Sequence, residues 1–191
     1  MKTAIKVYIA GKVNPNSVFG THKWRDKFCE VLSKKSGFEI INLDPTKHEK
    51  DFDLDEGNAK LIFGRDSFMI KISDMVVVNL TDDISVGGSQ EMLIAKYYKK
   101  PLVGLAPKGG KFNKEEKEIL GRTYKNWVHP FVAIPCDKVV EDIDQLAFFI
   151  KTFFSGENDT KTKNISVIDD AEAYYKKKHY KKDKQLHVKE K

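Results

Sequence analysis

The segment that most constrains this chain is Met75-Val76-Val77-Val78-Asn79-Leu80, a continuous apolar run that leads into Ser85-Val86-Gly87-Gly88-Ser89-Gln90-Glu91. A strand that is apolar at successive rather than alternate positions has to be covered on both faces, as in a parallel sheet packed between helices. Followed by a turn with glycines and a helix with a carboxylate in its first turns, it forms a place where a sugar or phosphate can sit beside a nucleophile.

Similar runs recur along the chain. Residues 4–10, 37–43, 74–80, 101–106 and 128–135 read as five strands, and helical patterns alternate with them. Thr21 is positioned to cap a helix that places Trp24, Phe28, Val31 and Leu32 on one face and ends near Gly37. Residues 58–72 give a second helix with Ala59, Ile62, Phe63, Phe68, Met69 and Ile72 near helical spacing, and residues 86–98 a third. A short helix is expected over 114–120, and a closing helix over 139–154 with Ile143, Leu146, Ala147 and Ile150 as its buried stripe. Strands alternating with helices predict an α/β fold, a flavodoxin-like, doubly wound sheet of five parallel strands.

The charge is unevenly spread. The chain carries a formal net charge of +6, and residues 176–191 account for all of it with eight lysines against Asp183 and Glu190. The body is therefore neutral, which argues against a general nucleic-acid or membrane role for it. A compact domain over 1–155 is expected, followed by a polar, lysine-rich extension over 156–191, mobile or partly helical, whose apolar content is too low to offset the entropy of ordering. Weak contact with a polyanion is a second reading of that tail.

Cys29 and Cys136 lack metal-ligand spacing, so neither a disulfide framework nor a metal is expected, and no cofactor is called for. The opening Met1-Lys2-Thr3-Ala4-Ile5-Lys6 is too charged for a secretory leader, and no apolar run reaches a membrane span. A soluble cytoplasmic protein is the expectation.

In an open parallel sheet ligands bind beyond the carboxyl ends of the strands, where strand order reverses; here that lies between the first and third strands. Tyr8 and Gly11 end the first, and residues 82–91 follow the third. An ionised Glu91 at that point can attack an anomeric carbon and form a covalent glycosyl intermediate; it can equally be an exposed glutamate complementing the helix dipole. Gly87 and Gly88 permit close backbone approach to a ligand, or serve the turn alone. Ser85 can donate to a phosphate or cap the helix. Asp66 can bind a sugar hydroxyl or a base nitrogen, or pair locally on its helix.

The set Val7-Tyr8-Ile9-Ala10-Gly11, Arg65-Asp66, Ser73-Asp74-Met75-Val76-Val77-Val78, Ser85-Val86-Gly87-Gly88-Ser89-Gln90-Glu91 and Lys99-Lys100-Pro101-Leu102-Val103 resembles the nucleoside 2-deoxyribosyltransferase family, including its relatives that hydrolyse deoxynucleoside 5′-monophosphates. The resemblance runs over about residues 4–135. It implies that Glu91 is the nucleophile toward C1′, that Tyr8 orients it, and that Asp66 contacts the sugar or assists departure of the base. Ser85 stands where the monophosphate hydrolases carry serine and the transferases carry aspartate. A homo-oligomer is implied too, with the pocket completed by a neighbouring subunit, for which Asn126 and His129 are the candidates.

The expected function is therefore cleavage of the N-glycosidic bond of a (deoxy)nucleoside or its 5′-monophosphate, with transfer of the sugar to another base or to water. A module of the same fold that binds nucleotides without turning them over is the alternative.

Overall fold

A computed structural model of the chain describes residues 3–11, 24–48, 55 and 57–186. In chain order the elements are β1 (Ala4–Ala10), α1 (Trp24–Ser36), β2 (Glu39–Leu43), α2 (Ala59–Ile72), β3 (Met75–Asn79), α3 (Val86–Tyr97), β4 (Leu102–Leu105), β5 (Asn113–Ile119), β6 (Arg122–Val128), α4 (Pro130–Ala133), β7 (Lys138–Val140), α5 (Ile143–Phe154) and α6 (Val167–Lys178). Strands β2-β1-β3-β4-β7 form a five-stranded sheet in that order, and every pairing in it is parallel. This is the flavodoxin-like arrangement.

All five residues of β3 are buried, as its continuous apolar run requires. Parity along the strands divides the core in two. Val7 and Ile9 of β1 pack with Trp24, Phe28 and Leu32 of α1 and with Leu146 and Ile150 of α5. Tyr8 and Ala10, pointing the other way, join Ile70 of α2 and Met92 and Ala95 of α3. Tyr8 therefore faces the helix that carries Glu91.

Three expectations fail in the second half of the chain. Residues 114–120 form no helix; β5 pairs antiparallel with β6 as a separate two-stranded ribbon. Leu120 and Gly121 make its tight turn with φ of 50° and 72°, the positive pair that a two-residue hairpin needs to match strand twist. The fifth strand of the sheet is β7, not residues 128–135, which hold the end of β6 and the short α4. Residues 139–154 do not make one helix either. Val139 and Val140 belong to β7, and Asp142 then caps α5 by accepting from Gln145 N at 2.8 Å.

Helix α2 turns its aromatics outward. Phe63 and Phe68 are 62% and 57% exposed, while Ser67 and Ile70 are its buried positions. The Thr21 cap expected for α1 lies outside the described residues. Among them, no helix is long and apolar enough to cross a membrane, and no group of three or more His, Cys, Asp or Glu side chains could hold a metal ion.

The body also contains a closed ionic cluster. Lys96 near the end of α3 and Asp137 just before β7 pair at 2.6 Å with side chains 0% and 2% exposed. Asp137 further accepts from Leu102 N and Lys163 N, each at 2.7 Å. Lys163 Nζ in turn donates to the carbonyls of Ala133, Ile134 and Cys136. Beyond it, α6 buries none of its residues.

Candidate active site

The carboxyl ends of β1 and β3 flank the point where the strand order reverses, and α3 begins over them. Ser85 caps α3, its hydroxyl accepting from Gly88 N at 3.0 Å and retaining its own proton for donation. Gly88 is buried, and a Cβ there would lie 3.2 Å from Ile84 Cγ1 and from Ser85 Oγ and 3.6 Å from Gly11 N. Glycine thus lets the start of α3 press against the chain leaving β1. Gly11 has φ of 143°, where a side chain would meet Asn79 of β3 at 3.2 Å.

Glu91 lies one turn further along α3, and Tyr8 Oη donates to its Oε1 at 2.8 Å. A Cβ added at Gly87 would sit 3.8 Å from that same Oε1, so the absent side chain leaves the carboxylate accessible from the helix start. Burial pushes the Glu91 carboxyl up to about 7; the Tyr8 hydrogen bond and Arg25 pull it down, and Asp66 adds to the rise. Asp66 itself is pushed up by burial, against the pull of Arg65 and Arg25. The Tyr8 hydroxyl is held well above its ordinary range, first by burial and then by Glu91 and Asp66, so it is a fixed donor at any working pH.

Tyr8, Asp66, Glu91, Gly11, Ser85, Gly87 and Gly88 are therefore gathered at one end of the sheet. Asp83, close by in the loop after β3, is paired with Lys111 at 2.7 Å. Asn126 lies on the ribbon and His129 just beyond it. Asn126 is exposed with φ of 51°, and the His129 ring packs among Phe112, Trp127 and Phe131. Among the described residues, neither has a hydrogen bond or ion pair to the Tyr8, Asp66 and Glu91 group.

One residue of the site was not anticipated. Arg25, in the first turn of α1, is buried and acts electrostatically on Tyr8, Asp66 and Glu91. Its signal was present in the sequence: Arg25, Cys29, Leu32 and Ser36 recur at helical spacing and are all buried, so the period that buries the helix face also carries this cation inward.

No family model matches the chain, and no curated protein matches it. Among solved structures, it is similar to a conserved protein from Enterococcus faecalis V583, with a TM-score of 0.56 at 18% identity, over 80% of this chain and 99% of that one. A 2-deoxyribosyltransferase from Bacillus psychrosaccharolyticus gives a TM-score of 0.49 at 16% identity, over 74% of this chain and 90% of that one. The CMP N-glycosidase of Clostridium botulinum gives 0.40 at 14% identity, over 75% of this chain and 95% of that one. The likeness to the enterococcal protein is one of fold: this chain has the same doubly wound α/β architecture.

Proposed function

We propose that this protein cleaves the N-glycosidic bond of a nucleoside or nucleoside 5′-monophosphate through Glu91. The observation that carries the reading is the hydrogen bond from the buried Tyr8 hydroxyl to Glu91 Oε1 at the sheet's switch point. It holds a carboxylate near a helix start at that switch point, and leaves the second carboxylate oxygen to attack.

In the first step a Glu91 oxygen bonds to C1′ as the bond from C1′ to the base nitrogen breaks, and the bond pair leaves with the base. Asp66, whose proton affinity is raised, is suited to protonate that base. In the second step a nitrogen of another base, or water, attacks C1′ and returns Glu91 to its carboxylate, giving up a proton to the surroundings. Tyr8 orients the nucleophile throughout.

Ser85 and the amides at the start of α3 suit the 5′ end of the substrate. A hydroxyl and a helix start favour a phosphate there, where a carboxylate would repel it. The pairing of Asp83 with Lys111 removes part of the opposing charge. Asn126 and His129, which among the described residues make no hydrogen bond to this chain's own Glu91, fit a role in a neighbouring subunit's pocket.

The test is turnover of deoxynucleosides and deoxynucleoside monophosphates, each with and without a second free base, by the wild type and by Glu91→Ala. Release of base by the wild type alone is expected, with base exchange distinguishing transfer from hydrolysis. Undiminished turnover by Glu91→Ala would overturn the role of that residue. Tight nucleotide binding with intact ligand recovered would instead make the protein a binding module.

A further inference from the structure

The Arg25 guanidinium lies behind the site with only 1% exposure, and its environment does not neutralise it. Nε donates to Ile9 O at 3.1 Å, Nη2 donates to Gly11 O at 2.9 Å, and the guanidinium carbon sits 4.6 Å above the centre of the Trp24 ring. Nη1 is buried without a hydrogen-bond partner. Among the described residues, no carboxylate forms an ion pair with it. Burying a cation in this way is costly, and the usual compensation is a directly bonded acid.

The compensation is present at longer range. Glu91 is faced by the Tyr8 hydroxyl from β1, by Asp66 from α2 and by Arg25 from α1, and among the described residues Arg25 is the cation acting on it. The same cation lowers the proton affinity of Asp66 and of Tyr8. Its two backbone hydrogen bonds bracket Ala10, the last residue of β1, and Gly11 is the residue against which Gly88 of α3 packs. Arg25 therefore touches the strand that presents Tyr8 and the contact that seats the helix presenting Glu91. An arginine cannot lose its charge at any working pH, so this influence is constant.

We propose that Arg25 is a positioning residue of this site: it fixes the end of β1 against the start of α3 and supplies a permanent positive charge that favours the carboxylate form of Glu91. The consequence for catalysis rests on the glycosyl-transfer reading above, but the charge coupling does not require turnover to be seen.

The test follows the Glu91 carboxyl directly by 13C NMR titration of side-chain-labelled protein, with the Glu91→Gln spectrum identifying its signal. In Arg25→Gln, which keeps an amide donor and loses the charge, the midpoint should rise by about half a unit or more, at least a threefold gain in proton affinity. In Arg25→Lys, which keeps the charge and loses the fork, the midpoint should stay near the wild-type value while kcat falls. A folded Arg25→Gln with an unmoved midpoint overturns the proposal. So does an Arg25→Lys midpoint raised by half a unit or more, since it would assign the effect to the hydrogen bonds and not the charge. Should Arg25→Gln not fold, that Arg25→Lys result decides alone. If the NMR shift is seen but the wild type turns over no nucleoside or nucleotide, the glycosyl-transfer reading fails and the coupling stands.

Discussion

Lys96 and Asp137 are buried together near the carboxyl end of α3, whereas Glu91 lies near its amino end beside Tyr8, Asp66 and Arg25, and the two groups are wired in opposite ways. Asp137 receives an ammonium and two backbone amides, so its charge is matched and its lone pairs are filled. Burial lowers the Lys96 pKa and the hydrogen bond it donates to Asp137 opposes that shift, which leaves a closed pair. Glu91 receives one hydroxyl, shares its surroundings with a second carboxyl, and meets its cation only at a distance. One helix thus carries a matched charge at one end and an incompletely matched carboxyl at the other. Opposed, incompletely matched titratable groups in a crevice are what catalytic sites require and structural ion pairs avoid.

The sharpest way to break the contrast is to remove the acid from each group. Glu91→Ala should abolish base release, a loss of about a thousandfold or more, since it removes the oxygen proposed to form the glycosyl ester. Its stability should not fall, which thermal melts of wild type and variant will check. Asp137→Ala should do the reverse. It strands a buried ammonium and two amides and should cost about 3–5 kcal/mol in denaturant unfolding, with any residual activity proportional to folded protein. Comparable stability losses in the two variants would erase the distinction.

The pH dependence of stability sharpens it further. Glu91 is pushed from 4.5 up to about 7 in the folded chain, so the native state holds this proton more tightly than the unfolded state does. Its contribution is full at pH below 4.5 and is lost as pH rises toward 7, where the folded protein bears an ionised buried acid. Glu91→Gln should therefore be more stable than wild type above pH 7, on the order of 2 kcal/mol, with the difference vanishing below pH 4.5. Unfolding curves at several pH values read this directly, and a constant difference across the range would contradict it.

Tyr8→Phe removes the donor to the carboxylate. It should slow turnover about tenfold and move the acid limb of the pH and rate profile upward from near 7, because the neutral form of Glu91 is then favoured. An unmoved limb would deny the hydrogen bond its role. The smallest effect belongs to the tail. Deleting residues 176–191 should leave turnover unchanged and remove any weak, salt-sensitive retention on DNA, read as elution against salt concentration. Retention that survives the deletion would move the polyanion contact to the body.

The central strands were legible because β3 and β4, and β1 from Val7 onward, are covered on both faces and announce it with apolar runs. The meeting of Tyr8 with Glu91 was legible from topology: parity sends Tyr8 to the face of the sheet that α3 covers. The ribbon was not legible. Lys114-Glu115-Glu116-Lys117-Glu118 is rich in good helix formers, and its strand state depends on pairing with β6 across a Leu120-Gly121 turn that lacks the usual asparagine or aspartate. The edge strand β7 was hidden because Val139 and Val140 continue the apolar pattern of α5, and Asp142 alone marks the break. Arg25 went unread because a charged side chain at the start of a helix is ordinarily solvated, and its carbonyl partners, Ile9 and Gly11, come from a strand distant in sequence.

The central claim is that Glu91 bonds to C1′ of a nucleoside or nucleotide. Acid-quenched reaction mixtures examined by peptide mass spectrometry test it most directly. The account predicts a transient adduct of the sugar or sugar phosphate, without its base, on the peptide that contains Glu91, and none in Glu91→Gln. Steady release of base with that peptide unmodified at every quench time, or an adduct on another residue, would contradict it.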